Sequence, residues 1–239
     1  MATLLGIVQE FCGRVAIPRP GVVTSSNDDQ YIQLWRLCNE TLDDLVTRPW
    51  CWTTLATETT FTTVAANLQG TIASICPFGY MGIIPETFWD RTQRLPFIGP
   101  LNSQEWQTVQ ALPATNPLYA FRVFQNNLYV WPTPAAGHTC AFEYYSNYAV
   151  LASDGTTAKP YFTADDDTLR LDDKLMYAGL KWRWKREKGL PYAEDFQTYE
   201  TLLASLAGRD GPKKRIRMDR GSYDGFQPGI FVSPGSWSV

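Results

Sequence analysis

Three features of this 239-residue chain predict an α+β fold. Apolar residues recur with a helical period over the first 50 residues and again between residues 165 and 208. Threonine-rich and aromatic segments with a period near two lie between them, and residues 209–239 show neither period. We therefore expect a helical bundle from both chain ends (1–50 and 165–208), an inserted β region (51–164) and an extended C-terminal arm (209–239). Consecutive strands without long intervening helices favour antiparallel pairing.

Two helices are predicted in the first 50 residues. The apolar face of the first consists of Leu4, Leu5, Val8 and Phe11. Gly13 is predicted to cap its C-terminus. The second helix is predicted to begin at Ser26 or Asn27, whose side chains can cap it, and to end at Arg48 because Pro49 cannot continue a helix. Its apolar face consists of Tyr31, Leu34, Cys38, Leu42 and Leu45.

The β region is predicted to contain five extended segments and one short helix. The extended segments are 57–64, 71–75, 118–124, 128–131 and 139–148. Residues 121–131 are predicted to form a hairpin that turns at 125–127, since asparagine tolerates a positive φ. Asn102 and Glu105 have the spacing of a capping box, which predicts a helix over residues 103–111.

Helices are predicted again after residue 164. The first is predicted to start at acidic residues and to reach Lys188; the residues at its start are Asp165, Asp166, Asp167 and Thr168. Helix capping explains these carboxylates better than a cation site, because the glycine and the distal glutamate of a calcium-binding loop are missing. The last helix, 192–207, is predicted to end at Gly208, and its apolar stripe contains Phe196, Tyr199, Leu203 and Leu206.

The longer of these helices is both basic and aromatic. Trp182 and Trp184 lie about 200° apart on a helix, so one is predicted to enter the bundle and the other to reach a subunit interface or the arm. The basic and aromatic residues of this helix include Lys181, Arg183, Trp184, Lys185 and Arg186, and its cations could contact DNA or an acidic neighbour. The alternative is a solvated face whose cations complement the helix dipole and form ion pairs between subunits.

Few residues here favour catalysis. His138 is the only histidine, and it is predicted to lie in a turn. Zinc motifs with two histidines and most histidine-dependent triads are therefore unsupported, and no glycine-rich phosphate loop occurs. A paired-carboxylate hydrolase stays an alternative, if four acids converge: Glu86, Asp90, Glu105 and Glu143. We predict a protein that is not an enzyme and that has no metal or cofactor.

The remaining composition suggests a reduced protein without a membrane segment. The cysteines are scattered without a Cys-x-x-Cys motif and are predicted to be reduced core residues: Cys12, Cys38, Cys51, Cys76 and Cys140. No apolar run approaches the roughly 20 residues that cross a bilayer, and the N-terminus lacks the pattern of an export signal. We expect an unexported protein that stays in the cytoplasm in which it is made.

The arm differs in charge from the rest of the chain. It carries six basic and three acidic residues, so its net charge is +3 and residues 1–208 carry −6. Its predicted partner-binding residues are Lys213, Lys214, Arg215, Ile216, Arg217, Met218, Tyr223, Phe226, Ile230, Phe231 and Trp237. Separated apolar anchors of this kind fit pockets on a partner. The alternation of basic and apolar residues from Arg215 to Met218 would let an extended segment add to a sheet edge.

Several segments of the chain resemble the head-to-tail adaptor proteins of tailed phages. These segments are FWDRTQRLP (88–96), GPLNSQEW (99–106), AFEYYS (141–146), GLKWRW (179–184) and GLPY (189–192). The resemblance covers nearly the whole chain. It implies a ring, usually of twelve subunits, at the virion neck between the portal and the tail nozzle or tail tube. The bundle would surround genomic DNA without sequence-specific binding, and the C-terminal arm would engage the portal. The resemblance also implies a subunit interface or a channel face for Lys181, Arg183, Trp184, Lys185 and Arg186.

A nucleic-acid-binding protein is the alternative function. It would use the basic helix and the basic arm to bind phosphates. The acidic body of the chain and the absence of a recognisable reading motif disfavour this alternative.

Overall fold

A computed structural model describes residues 2–48, 52–111 and 119–211. Its helices are α1 (Leu4–Arg14), α2 (Asp29–Thr47), α3 (Ile72–Ile75), α4 (Ser103–Ala111), α5 (Asp173–Glu187) and α6 (Ala193–Ala207). The longer strands are β1 (Ala56–Thr62), β2 (Leu68–Thr71), β6 (Ala120–Phe124), β7 (Asn127–Trp131) and β8 (Thr139–Tyr145). The two-residue strands are β3 (Gly82–Ile83), β4 (Trp89–Asp90), β5 (Leu95–Pro96), β9 (Val150–Leu151), β10 (Ala158–Lys159) and β11 (Thr168–Leu169). The predicted α+β class is confirmed.

The helices from the two chain ends pack into one bundle. α5 contacts α1, α2 and α6, so the N-terminal and C-terminal helices share one apolar core. α5 approaches α2 so closely that a Cβ atom added to Gly179 would lie 2.3 Å from Thr41 Cγ2. Residues Ala149, Val150, Phe162 and Leu169 also belong to this core. The short strands β9, β10 and β11 therefore lie against the helices, although residues up to 164 were assigned above to the β region.

The β region has its own apolar core, which is centred on β8. β8 pairs with β1 along one edge and with β3 and β4 along the other, and every pair is antiparallel. A second sheet has the strand order β2-β7-β6. Between the sheets, Phe88 stacks on Phe97 with ring centroids 4.0 Å apart and packs against Phe121 and Phe142. This core contains Ile72, Ile75 and Tyr144, and it is formed by different residues from those of the bundle core.

Two predictions about local structure are confirmed. The hairpin over residues 121–131 is formed by β6 and β7, and Gln125 and Asn126 take the positive φ values 49° and 58° at its turn. At α4, the main-chain N–H of Asn102 donates to the Glu105 carboxylate, and the N–H of Glu105 donates to Asn102 Oδ1. These two bonds are the predicted capping box.

Other boundaries differ from those predicted. Gly13 lies inside α1, whose C-cap is Val15, and α2 is capped by Asp28 rather than by Ser26 or Asn27. Most of the segment 71–75 is the short helix α3, because the Thr71 side chain accepts the N–H of Ser74 and begins a turn.

The largest difference concerns the acidic run before α5. The helix begins at Asp173 and is capped by Asp172, so the prediction that Asp165, Asp166, Asp167 and Thr168 begin it is wrong. Asp165 instead accepts the N–H groups of Val23 and Thr24 at 2.9 and 2.8 Å. An aspartate carboxylate can accept a hydrogen bond from any nearby free main-chain N–H. The sequence pattern therefore did not show whether its partners would be the N–H groups of a helix or those of another segment.

Candidate assembly surface

Arg183 belongs to the predicted basic face of α5, yet it is only 3% exposed. Its Nη2 atom lies 3.0 Å from Asp44 Oδ2, and its Nε atom lies 3.4 Å from Glu40 Oε1 without hydrogen-bond geometry. The guanidinium also lies over the ring of Trp182, with Cζ 4.4 Å from the ring centroid. Arg183 therefore joins α5 to α2 within one chain.

Asp44 connects three helices through its carboxylate. Besides Arg183, it accepts hydrogen bonds from Arg48 Nε at 3.1 Å and from the Tyr199 hydroxyl at 2.8 Å. Burial alone would raise the pKa of Asp44, but the hydrogen bonds from Arg48, Tyr199 and Arg183 outweigh it and lower the pKa. Burial and the bond to Asp44 raise the pKa of Tyr199. Arg48 completes the cluster by contacting Glu200 of α6 at 2.7 Å.

The other three cations of the predicted face also have partners within the chain. Lys181 contacts Asp195 of α6 at 2.8 Å, and Lys185 contacts the other oxygen of the same carboxylate. Arg186 contacts Glu40 at 3.1 Å and Glu187 at 2.9 Å. Burial would raise the pKa of Asp195, but hydrogen bonds from the two lysines lower it. Intramolecular partners thus satisfy the charges that were predicted to face a subunit or the channel, and that face stays a prediction.

The two tryptophans of α5 point in different directions, as their spacing predicts. Trp182 is 8% exposed and packs edge-to-face on Phe196 of α6, with centroids 5.1 Å apart. Trp184 is half-buried and packs edge-to-face on Phe11 of α1 at 5.9 Å. Each tryptophan therefore fixes α5 against a different neighbour. Leu190, Tyr192 and Phe196 remain among the exposed large apolar residues near this end of the bundle.

The predicted partner-binding residues of the arm, from Lys213 to Trp237, lie outside the described residues. The structure does show where the arm begins. Gly208 caps α6, and its N–H donates to the carbonyl of Ala204 at 3.0 Å. The Asp210 carboxylate then accepts the N–H of Thr53 at 2.8 Å and also the Thr53 hydroxyl. The arm therefore starts beside Thr53, three residues before β1.

A groove of about 370 Å³ lies on the outer face of the β8 sheet. It is lined by two of the four acids named for a paired-carboxylate hydrolase, Asp90 and Glu143, and by Glu58. Glu58 and Glu143 lie directly opposite each other on β1 and β8, and Asp90 lines the same groove. Asp90 is 1% exposed, and it accepts the N–H groups of Thr92 and Gln93 and contacts His138 Nδ1 at 2.9 Å. Its oxygens therefore hold a turn together.

Two further candidate acids do not join this groove. Glu105 forms the capping box of α4, and Glu86 has a φ of 64° in a turn, where its carbonyl accepts the Trp89 indole N–H. No group of three or more ligating side chains able to hold a metal ion occurs in residues 2–48, 52–111 and 119–211. The four cysteines in that part of the chain are unpaired and buried: Cys12, Cys38, Cys76 and Cys140. Cys51 lies outside it.

The ion-pair cluster between α2, α5 and α6 was missed from the sequence. A signal was present, because Glu40, Asp44 and Arg48 recur every four residues and share one face of α2. This face is polar, whereas the prediction of α2 rests on the residues of its apolar face. Across the part of the chain that the structure describes, no helix is long and apolar enough to span a bilayer.

Comparison with known proteins identifies the family of the chain. The model of the SU10 adaptor protein family matches residues 2–224, which is most of the sequence. No curated protein matches the chain. The match includes the bundle, all three sheets of the described residues and the first part of the arm. The chain therefore belongs to the SU10 adaptor family of phage head-to-tail adaptor proteins.

Proposed function

We propose that this structural virion protein forms a ring of twelve copies at the virion neck. The ring joins the portal to the tail nozzle or tail tube and continues the channel through which DNA leaves the head. The family match over residues 2–224 carries the proposal. The protein acts by assembly rather than by catalysis, and genomic DNA passes through the ring without sequence-specific contacts.

The architecture supports a role as a rigid building block. Helices from both chain ends close one bundle, and the β region forms a second core beside it in the chain. The cluster around Asp44 and Arg183 joins α2, α5 and α6 through ion pairs and hydrogen bonds. The bundle can therefore keep its conformation when partners bind at its two ends. A ring subunit that supports later components needs such a body.

The arm supplies the adhesive part of the proposal. Its apolar anchors fill pockets on the portal or on a neighbouring subunit, while its cations meet an acidic rim. Buried apolar area contributes more to docking than exposed charge does. Replacement of Phe226, Ile230 and Phe231 by alanine should therefore weaken attachment to the portal more than replacement of Lys213 and Lys214.

Electron microscopy of virions and of tail-deficient particles tests the proposal. We expect density for this protein as a twelvefold ring below the portal in both kinds of particle. A protein absent from the neck would overturn the neck assignment, and another ring symmetry would overturn the copy number. Labelling the C-terminus with a small tag would show whether the arm points toward the portal.

The nucleic-acid alternative has a separate test. Lys181, Arg183, Lys185 and Arg186 each contact a carboxylate of their own chain, which leaves fewer cations for phosphates. We expect the purified protein to bind duplex DNA only weakly at physiological salt. Micromolar or tighter affinity with a steep dependence on salt concentration would favour the alternative.

A further inference from the structure

β1 has an unpaired edge within the part of the chain that the structure describes. Its bonds to β8 are bracketed by Ser146 N–H to Leu55 carbonyl and by Thr63 N–H to His138 carbonyl, both at 2.9 Å. Hydrogen-bonding groups alternate along a strand, so the odd-numbered residues from 55 to 63 face β8. The N–H and carbonyl groups of the even-numbered residues 56–62 point away from the sheet. Among the described residues, the Ala56 N–H donates to the Thr53 carbonyl, and no hydrogen bond to the other groups of this edge is found.

The two faces of this edge have different chemistry. Thr57, Thr59 and Phe61 are half-buried, and the Phe61 ring packs edge-to-face against Phe88 at 5.9 Å. Glu58 and Thr60 are exposed on the opposite face, where Glu58 forms an ion pair with Arg91. A strand added here would therefore need apolar side chains on the Phe61 face and polar or basic ones on the Glu58 face. A long unpaired edge of this kind is a template for a further strand.

The arm begins at one end of the same edge. Asp210 is hydrogen-bonded to Thr53, and a Cβ atom on Gly211 would lie 3.2 Å from Thr53 Cγ2. β1 spans about 20 Å at roughly 3.4 Å per residue, so five or six extended residues after Gly211 would run along most of it. A chain that leaves Thr53 in this direction runs parallel to β1.

The arm sequence matches both faces of the edge. From Arg215 to Met218, basic and apolar residues alternate. We propose that residues 213–218 add to the outer edge of β1 of their own chain as a parallel strand. Ile216 and Met218 then lie on the Phe61 face, and Arg215 and Arg217 lie beside Glu58. The acidic body, at −6 for residues 1–208, favours this basic segment.

The bond between Asp210 and Thr53 selects the same chain as the occupant. It holds the start of the segment next to its receiving edge, and such a short connection gives an effective concentration of about millimolar or more. A second copy or a portal strand would have to displace this tethered segment. The added strand directs the rest of the arm, with Tyr223, Phe226, Ile230, Phe231 and Trp237, from the far end of β1 toward its partner.

Strand geometry also fixes which arm residues bond to β1. In a strand, the direction of the side chain and the direction of the N–H are coupled, and in β1 the residues on the Phe61 face direct their N–H groups toward β8. In a parallel neighbour, the residues on that face direct theirs toward β1. The N–H of Ile216 is thus bonded to β1, and the N–H of Arg217 points to solvent.

Amide hydrogen exchange of the full chain, measured by NMR, tests the proposal. The amides of Glu58, Thr60 and Thr62 should exchange about tenfold or more slowly than in an unstructured peptide, at any protein concentration. Ile216→Pro should abolish this protection. Arg217→Pro, a matched control, should largely keep it, because proline is tolerated where the N–H of an edge strand faces solvent. The amides of Thr57, Thr59 and Phe61 report whether the fold is intact.

Four results would overturn the proposal. The even-numbered amides could exchange freely in the full chain, or Ile216→Pro could leave their protection unchanged. Protection that disappears on dilution would make a second copy the occupant. Protection that appears only after portal protein is added would assign the edge to the portal. None of these results would affect the family assignment or the location of the ring.

Discussion

At the scale of single residues, the bundle depends on a few charged side chains with several partners each. Arg183 is nearly inaccessible, yet its charge is matched by Asp44 and by Glu40. A buried cation of this kind stabilises the fold only while its partners are present, because an unpaired buried charge is costly. The sequence did not indicate that Arg183 is buried, because it lies in a run of cations from Lys181 to Lys188. The other cations with ion pairs in this run are more exposed.

Arg183→Met should lower the free energy of unfolding by about 2–3 kcal/mol, because the Asp44 carboxylate loses one of its charged donors while staying partly buried. Lys181→Ala is the control, since the Lys181 side chain is 55% exposed and should contribute less than about 0.5 kcal/mol. Urea denaturation followed by circular dichroism measures both. Equal losses in the two variants would contradict the role given to Arg183.

Asp167 acts in the loop that precedes α5. It is 1% exposed, and it accepts the N–H groups of Thr163 and Ala164 and contacts Lys159 Nζ at 2.8 Å. Burial alone would raise the pKa of Asp167, but these hydrogen bonds lower it. Because the folded pKa lies below the unfolded value of about 3.9, the stabilisation is present above that value and is lost as the pH falls through the folded pKa.

Asp167→Asn should therefore be less stable than the unchanged protein by about 1–3 kcal/mol at pH 7, and the difference should narrow as the pH falls below about 4. Denaturation at pH 7, 5 and 3 measures this change. The exposed neighbour supplies the control, since Asp166→Asn should change stability by less than about 0.5 kcal/mol. A difference between the proteins that is constant with pH would contradict the assignment.

At the scale of elements, close approach between helices determines what each glycine can tolerate. Gly179 lies where α5 meets α2, and the fully buried Thr41 leaves no room for a Cβ atom. Gly13 lies within α1, where an added Cβ would meet only the end of the Arg19 side chain, which can move. Alanine is favoured over glycine in a helix by about 1 kcal/mol, so packing decides the outcome at each site.

Gly179→Ala should lower the free energy of unfolding by about 1–3 kcal/mol despite the gain in helix propensity. Gly13→Ala should leave it unchanged or raise it by up to about 1 kcal/mol. Thr41→Ser removes the methyl group that clashes and should restore part of the loss in the Gly179→Ala background. The four variants to compare are Gly179→Ala, Gly13→Ala, Thr41→Ser and the double variant of Gly179 and Thr41. Thermal and chemical denaturation measures their free energies of unfolding. If Thr41→Ser restored no stability, the strain would not come from the contact with Thr41.

Elements with local signals were the ones that the sequence predicted well. The capping box of α4 and the turn between β6 and β7 depend on residues within four positions of each other. For Asp165, the prediction of a helix start failed because its partners, Val23 and Thr24, lie about 140 residues away. The Asp44 cluster likewise joins α2 to α5 and α6 across more than 130 residues. A local pattern in a single sequence cannot identify such distant partners, even where it marks one side of the cluster, as at Glu40, Asp44 and Arg48.

At the scale of the whole molecule, the described body ends where the arm begins. α6 is capped at Gly208, and Asp210 fastens the following residues to Thr53. The family assignment, the α+β class and the two helices at each chain end were predicted from the sequence, whereas α3 and the two-residue strands were not. The faces that meet neighbouring subunits could not be predicted, because they depend on other chains.

Truncation after Gly211 should leave the body folded, with a free energy of unfolding lower by no more than about 2 kcal/mol, because the Asp210 contacts are kept and only the strand added to β1 is lost. The same truncation should prevent stable attachment to the portal, since the apolar anchors are removed. Denaturation tests the first expectation, and co-sedimentation with portal rings tests the second. Undiminished co-sedimentation would remove the arm from the attachment mechanism.

The packing of α1 and α2 against α5 and α6 also constrains the order in which the protein can fold on the ribosome. The sheet around β8 is complete once Tyr145 has been synthesised, and its core uses only residues that precede that point. The first two helices have to wait for Leu175 and Leu203 before their apolar faces are covered. During that interval they are exposed to aggregation. Synthesis of the last helices therefore closes the bundle and ends that exposure.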